Sequence, residues 1–517
     1  MNRLEARAET VSSACRSWRL AVLAALSFVP LGGLAQELAG GRGLTVLTSI
    51  DASSDFAVNS RLGGRDAGDL TLQLRPGIAL FGRGSRAVGS LNYSVGLIHR
   101  SRRGGGDDGD VAHNLAAQVS AEAIDRWMYV DATAAIERQI TDPFGVQGVG
   151  TSASAQENTA EVGRASLSPY VRGALGQAIS YEVRLNASAV NTRRSLEGDS
   201  TAWGASASLS SNLPGSALGW GLVASSQETE FRVGGNTTAD RNTRNDRWSA
   251  SLYWIPDPDL TLTLRGGQET SDAEVPVRER YANWGMGITW RPSARTRVQV
   301  EGDERYFGSA YRIGIEHRAR QLSVQLGSSR SDNAGPPTGV QLSAFQLRDA
   351  QLASLIPDPA QREQQVLQDL VQRGQSPDTI VFTALVNSAI TVLERHDVSV
   401  AYAGRRLALS AQFYLEKSEV LNGSGGTAGA PVKRKGYSAN AGYRLGPGIR
   451  ITLDAGWLTV LASGPTPGNN LRFLTAGIET SLAARTQASF GARYSEFSST
   501  TDPYREAGII ARLNHRF

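Results

Sequence analysis

The stretch AGIIARLNHRF, residues 507–517, alternates apolar and polar side chains up to the last residue of the sequence. One face carries Ala507, Ile509, Ala511, Leu513, His515 and Phe517, and the other carries Gly508, Ile510, Arg512, Asn514 and Arg516. A period of two residues is typical of a β-strand whose two faces meet different surroundings. The stretch therefore predicts a final strand with one largely apolar face and one largely polar face.

The same stretch has the features of an assembly signal. An amphipathic last strand with a terminal aromatic residue resembles the signal that the outer-membrane assembly machinery recognises, with Phe517, Leu513 and Ile509 as its expected members. His515 departs from that pattern, because an aromatic residue is usual at its position. A membrane barrel has to close without a free edge. We therefore expect the last strand to pair with the first one, near residues 44–50.

The first 35 residues have the pattern of a signal peptide. Four arginines precede a short apolar run at residues 20–31, and the small residues Gly33 and Ala35 follow it. The apolar run is too short to span a bilayer. We expect cleavage after Ala35, which leaves residues 36–517 as the exported barrel chain.

Alternation of period two recurs along the exported chain in runs such as residues 70–80, 179–188 and 449–457. A tilted strand needs roughly 9–11 residues to cross a membrane, whereas strands in soluble proteins are commonly nearer five or six. Short polar turns alternate with longer Gly-, Asp-, Arg- and Ser-rich connections, as in bacterial outer-membrane barrels. Ten turns and eleven loops predict an all-β protein, a large antiparallel transmembrane β-barrel of about 22 strands within a range of 16–22.

The tryptophans agree with a membrane barrel in the outer membrane of a Gram-negative bacterium. Amphipathic rings collect at the two lipid–water interfaces of such barrels. Eight of the nine fall at strand ends: Trp127, Trp220, Trp254 and Trp290 lie beside short turns, and Trp203, Trp248, Trp284 and Trp457 lie toward the loops.

Composition excludes several kinds of function. The only cysteine, Cys15, lies in the predicted signal peptide, so the exported chain is expected to have no disulfide and no thiolate chemistry. Removing residues 1–35 takes away four basic and two acidic residues, which lowers the formal net charge from +4 to +2. No basic face of the kind that binds nucleic acid is visible.

Chemical motifs are also missing from the sequence. The histidines lie singly, without the spacing of metal ligands, at His99, His113, His317, His396 and His515. There is no Gly-x-Ser-x-Gly, no phosphate-binding loop and no His-Glu-x-x-His. We therefore expect no catalytic residue, no metal site and no cofactor, although separate strands of a barrel could still bring a serine and a histidine together.

The polar faces of the strands are the main candidates for a functional role. Charged side chains that face lipid cost several kcal/mol, so these faces are expected to line a water-filled lumen. The candidate lumen-lining residues are Arg75, Arg184, Glu182, Arg265, Arg297, Glu301, Arg312, Glu316, Arg450 and Asp454. An equally open alternative is that these charges pair across strands and only stabilise the wall.

Residues 343–394 interrupt the alternation. Asp358-Pro359-Ala360-Gln361 has the pattern of a capped helix start, and a helical stripe followed by Gly374 continues from it. A second helix is expected to start near Ser376 and to carry Val381, Leu385 and Val392. We predict a short helical insertion within an outer loop, where it decorates the surface or folds into the lumen.

The layout resembles the outer-membrane barrel proteins associated with PEP-CTERM/exosortase systems in exopolysaccharide loci. The resemblance rests on Arg75-Pro76-Gly77-Ile78, Asp142-Pro143-Phe144 and Leu167-Ser168-Pro169-Tyr170, together with Pro357-Asp358-Pro359 and Arg362 in the insertion. It implies a role in exopolysaccharide export or surface assembly, as channel or scaffold. It supplies no binding residue that could be carried over.

Four functions therefore follow as alternatives from the sequence. Exopolysaccharide export is the first expectation, and a general diffusion porin for small solutes is the second. A TonB-dependent receptor is less favoured because no long N-terminal plug domain is visible, and a barrel hydrolase is least favoured. The expected partners are outer-membrane lipid and lipopolysaccharide, the barrel-assembly machinery and periplasmic polysaccharide-export proteins, with no nucleic acid.

Overall fold

Twenty-two antiparallel strands form one closed sheet, which confirms the predicted barrel. The computed structural model describes residues 43–61, 67–101, 111–150, 158–193, 199–211, 215–232, 241–273, 278–332, 342–343, 366, 380–382, 390–421 and 431–517. The predicted signal peptide, residues 1–35, lies outside the described residues.

The strands in chain order are β1 (Leu44–Arg61), β2 (Ala67–Arg83), β3 (Ala87–Arg100), β4 (Val111–Ile124), β5 (Met128–Ile140), β6 (Thr159–Leu175), β7 (Ile179–Thr192), β8 (Ser200–Ser211), β9 (Leu218–Phe231), β10 (Arg241–Asp257), β11 (Leu260–Ser271), β12 (Glu279–Ser293), β13 (Thr296–Arg305), β14 (Gly308–Arg318), β15 (Leu322–Asp332), β16 (Leu342–Ser343), β17 (Ile380–Phe382), β18 (Thr391–Ala403), β19 (Leu407–Val420), β20 (Val432–Gly446), β21 (Ile449–Val460), β22 (Asn469–Ala483), β23 (Thr486–Ser498) and β24 (Tyr504–Arg516). β16 and β17 form a separate two-stranded sheet, and the other 22 strands form the wall.

The barrel closes between its first and last strands, as the sequence predicts. β1 and β24 are antiparallel over thirteen residue pairs, from Ser49 opposite Arg516 to Arg61 opposite Tyr504. The N–H of Phe517 donates to the carbonyl of Thr48 at 3.0 Å and extends this ladder by one bond. The pairing therefore continues past residues 44–50 and runs along most of β1. It leaves neither strand with a free edge.

Short and long connections lie at opposite ends of the wall. We call one end of the wall the turn end; it holds the start of β1 and the end of β24. It carries turns such as Pro258–Asp259 between β10 and β11. The other end, the loop end, carries the longer connections. One expected loop is in fact tight, because β13 and β14 are joined by Tyr306 and Phe307 alone.

Aromatic packing explains that tight turn at the loop end. Tyr306 and Phe307 are buried against Phe231, Ile390 and Val392 of neighbouring parts of the wall. The Tyr306 hydroxyl donates to a carboxylate oxygen of Asp332 at 2.9 Å. Burial, with the nearby Asp332 carboxylate as the next cause, raises the pKa of Tyr306 well above its ordinary value. The hydroxyl therefore stays protonated and keeps this turn fixed to β15.

The outer face of the wall is apolar. All eight tryptophans of the described chain are exposed, from 37% for Trp220 to 59% for Trp284. Leucine, isoleucine and valine fill the same face, for example Leu264 and Ile478. Ile509, Leu513 and Phe517 of the predicted assembly signal also lie exposed on it. Such a belt is the surface that a barrel presents to lipid.

The predicted helical insertion, residues 343–394, is described only in part. Val366 is helical and fully buried, and the rest of the first expected helix lies outside the described residues. The second expected helix is wrong where it is described, because Val381 lies in β17 and Val392 lies in β18. Residues 391–394 continue the wall, since all four pair with β19 and residues 392–394 also pair with β15. No helix among the described residues is long and apolar enough to cross a membrane.

Candidate functional site

The inner face of the wall holds the ten candidate lumen-lining residues. By strand register each of them lies on the face opposite the exposed apolar side chains. Arg297 and Arg312 are exposed on that face, and the other eight are half-buried. Within the set, Arg184 donates from Nε to Glu182 at 3.0 Å, and Arg297 lies opposite Glu316 in the ladder. A functional role for the ten residues remains a prediction.

Most of these charges have partners that the sequence did not reveal. Arg184 also bonds Asp131 at 2.9 Å, and Arg265 bonds Asp303 at 2.9 Å. Glu316 pairs with Arg318 on its own strand. Each partner lies on the same face of the wall as the predicted residue. Assigning alternate residues of the neighbouring strands to the inner face would therefore have identified these partners from the sequence.

Among the described residues no group of histidine, cysteine or carboxylate side chains could hold a metal ion.

One segment of the chain occupies the barrel interior. Residues 141–150, here called the crossing segment, follow β5 and form an irregular chain rather than a strand. Asn158 fixes the start of this segment, because its Oδ1 accepts from the backbone N–H of Asp142 at 3.0 Å and from the hydroxyl of Thr141 at 2.8 Å. Asp142 then accepts from the N–H of Phe144 at 2.9 Å, which turns the chain away from the wall.

The crossing segment is anchored to a separate part of the wall, on β22 and β24. The Tyr504 hydroxyl of β24 donates to the carbonyl of Gln147 at 2.5 Å. The side-chain amide of Asn469 in β22 donates to the carbonyl of Pro143 at 3.0 Å. Val146 and Val149 pack against an aromatic and aliphatic cluster of the inner face, Tyr414, Leu458, Leu471, Phe497 and Tyr504.

These anchors lie far from β5 around the wall. From β22 the pairing order runs through β23, β24, β1, β2, β3 and β4 to β5, which is seven of the 22 strand pairings. Seven of 22 pairings are about a third of the circumference. A barrel of this strand number is wide enough to hold a channel or a plug. The crossing segment therefore follows a chord inside the barrel and narrows its lumen.

A charged cluster lies beneath the end of the crossing segment. Arg493 on β23 donates to both oxygens of Asp55 on β1, at 2.8 and 3.2 Å, and to Glu506 on β24 at 2.8 Å. All three side chains are at most 3% exposed. Gly150 has a φ of +75°, and a Cβ there would lie 2.7 Å from Nη1 of Arg493. Only glycine lets the backbone pass so close to this guanidinium.

A different part of the inner wall is left with small polar side chains. The inner face of β8 carries Ser200, Ala202, Gly204, Ser206, Ser208 and Ser210. Ser180 and Ser188 on β7 and Ser225 on β9 continue it. Short side chains leave more of the lumen open than the aromatic cluster under the crossing segment does. Among the described residues, β7–β9 therefore present mainly small polar side chains to the lumen.

Comparison with protein-family models gives no match, and comparison with curated proteins gives none either. Solved structures do resemble the chain. The FrpB iron transporter from Neisseria meningitidis is 10% identical with a TM-score of 0.48, and the likeness covers 92% of this chain and 83% of that one. The ferric enterobactin receptor PfeA is 12% identical (TM-score 0.47; 91% and 81% covered). The siderophore receptor PirA from Pseudomonas aeruginosa is 10% identical (TM-score 0.45; 91% and 80% covered).

These findings correct the function expected from the sequence, while the outer-membrane location stands. The similar structures are an iron transporter and siderophore receptors, so exopolysaccharide export and general diffusion are both wrong predictions. Two of the motifs behind the exopolysaccharide prediction lie in wall strands, in β2 and β6. Asp142-Pro143-Phe144 lies in the crossing segment, and Pro357-Asp358-Pro359 and Arg362 lie outside the described residues. A diffusion porin has roughly 16–18 strands around an open channel, whereas this barrel has 22 and a segment across its lumen.

Proposed function

We propose that the chain is an outer-membrane transport barrel that passes a selected polar solute through the part of the lumen that the crossing segment leaves open. The single observation that carries the proposal is the chord of residues 141–150, fixed at Asn158 and tied to Asn469 and Tyr504. A segment held at both ends limits the width of the path. The polar inner wall keeps that path hydrated.

Selectivity is the property that separates this proposal from an open channel. Pore diameter and the groups that line a pore decide which solutes pass. The mixed charges of the inner face act on charged solutes, and the crossing segment acts on large ones. The likeness to iron and siderophore receptors concerns the fold, so neither iron nor a siderophore is carried over to this chain.

Liposome swelling with the purified full chain tests the proposal. We expect slow or absent swelling with neutral sugars of graded size, and faster swelling with a subset of charged solutes of the same size. Swelling with every small solute in simple order of size would contradict selectivity. Swelling with no solute, charged or neutral, in proteoliposomes that contain folded barrel would contradict transport.

The last strand supplies a proposal about assembly. We infer that the assembly machinery recognises the exposed apolar face that ends in Phe517. Phe517→Ala is expected to lower the amount of folded barrel in outer membranes severalfold, measured as the heat-modifiable band on gels. Phe490→Ala is the matched control, because Phe490 is 61% exposed and Phe517 is 59% exposed on the same surface. Equal losses from both variants would show that only lost lipid contact matters.

A further inference from the structure

One row of the inner wall differs from the rest of the interior in its charge. Across neighbouring strands, ladder partners link Arg444 of β20 to Arg450 of β21, Arg450 to Glu479 of β22, Glu479 to Ser489 of β23, and Ser489 to Arg512 of β24. Asp51 of β1 then lies between Asn514 of β24 and Arg75 of β2, with Arg516 beside it opposite Ser49. Arg75, Arg444, Arg450, Arg512 and Arg516 are here called the basic row.

The basic row has more guanidinium groups than carboxylates. Its five arginines face Asp51 and Glu479 on the same stretch of wall. Asp51 is engaged by Arg512, whose Nε lies 2.9 Å from it, and Arg75 donates to the amide oxygen of Gln73 at 3.2 Å. Asp454 lies above Arg450 on β21 and accepts from Asn440. The row therefore keeps an excess of positive charge.

Several other inner-wall arginines are bonded to carboxylates. Arg493 bonds two of them, and Glu416 is bonded by both Arg395 and Arg434. Arg305 bonds Glu269 at 2.6 Å. Pairing of this kind is what holds a charged wall together. With five arginines beside Asp51 and Glu479, the basic row has more guanidinium charge than pairing with these two carboxylates can neutralise.

Two adjoining cavities open on the basic row. One is lined by Arg444, Arg450, Arg512 and Asn514, with Gln487 and Ser489, and the other by Arg75, Arg516 and Asn514, with Asn92 and Asn114. Nη2 of Arg516 is buried and has no hydrogen-bond partner among the described residues. This donor borders the second cavity, where an acceptor group of a ligand would satisfy it.

We propose that the basic row binds an oxyanion, a phosphate or carboxylate group, carried by the solute that the barrel transports. The planar fork of arginine matches both groups through paired N–H···O bonds. The amides and hydroxyls of Asn92, Asn114, Gln487 and Ser489 add neutral polar groups around the charge. The proposal names the substrate class of the transport path and, in that respect, rests on the proposed function.

Binding to the purified full-length barrel in neutral detergent tests the site without requiring transport. Calorimetric titration at low salt would use inorganic phosphate and citrate separately, which distinguishes the two oxyanion classes. We expect saturable binding of at least one of them. Arg450→Gln combined with Arg516→Gln should weaken it by about tenfold or more, because charge-assisted bonds are lost.

A matched control removes the same charge elsewhere on the inner face. Arg297→Gln combined with Arg312→Gln should leave the affinity within a factor of about two, since these arginines face Glu316 and Glu301. Absence of saturable binding to the unaltered barrel, or equal losses from both double variants, would overturn the proposal. If the Gln variant does not give a heat-modifiable folded band, Arg450→Lys with Arg516→Lys keeps the charge and should still weaken binding. Unchanged binding by that Lys variant would then overturn it.

Discussion

Replacing Arg493 with methionine is expected to lower the free energy of unfolding of the barrel by about 3–5 kcal/mol. Arg493 is 1% exposed and bonds Asp55 and Glu506, which are 2% and 3% exposed. Removing the guanidinium takes the bonded arginine away from two carboxylates that stay buried side by side. Breaking a buried pair costs far more than the pair contributes by its presence, because the remaining charge stays desolvated.

The lost stability concerns the strands that close the barrel. Arg493 lies on β23, Glu506 on β24 and Asp55 on β1, so the cluster joins the last two strands to the first. Urea unfolding of barrel refolded into lipid vesicles would measure the change. Arg505→Met is the matched control, since its side chain is 68% exposed and its pair with Glu496 spans 3.3 Å. An exposed pair of this kind contributes roughly 0–1 kcal/mol.

A triple variant separates buried charge from lost packing. Arg493→Met together with Asp55→Asn and Glu506→Gln removes all three charges at once. We expect it to recover much of the stability lost in the single variant, because neutral amides cost less to bury than carboxylates. If Arg493→Met is as stable as the Arg505→Met control, the cluster does not stabilise the closure between β23, β24 and β1.

Removing residues 144–149 is expected to raise the single-channel conductance of the barrel in planar bilayers by roughly threefold or more, because pore width governs conduction. The deletion takes away Val146 and Val149, which pack on the inner wall, and Gln147, which accepts from Tyr504. It retains Asn158 and Asp142 at the base of the loop. The wall strands β5 and β6 keep all their pairing partners.

A deletion of equal length in another loop controls for this effect. Residues 462–467 connect β21 to β22 and include Ser463, whose hydroxyl donates to the carbonyl of Pro431 outside the crossing segment. Removing them should change conductance little. Liposome swelling should change in the same way, so neutral sugars should enter faster after residues 144–149 are removed than after residues 462–467 are removed. A conductance that both deletions leave unchanged would show that residues 141–150 do not limit the path.

The sequence by itself determined the wall of this barrel. Each strand shows its two faces through local alternation, as in residues 507–517, and turns and loops differ in length and composition. Adding strands in chain order then predicts about 22 of them and requires the last strand to meet the first, and the structure confirms both. These features depend on neighbours in sequence, so a period of two residues is enough to find them.

Only the tertiary structure decided what fills the barrel. Arg493 and Asp55 are 438 residues apart, and Tyr504 meets Gln147 across 357 residues. Such contacts depend on the register of every strand between them and on the curvature that returns β24 to β1. The path of residues 141–150 is equally non-local, because Val146 and Val149 have no periodic pattern and gain their apolar partners only inside the closed wall. Local alternation thus specifies the barrel, whereas the closed ring of strands brings together the groups that narrow it.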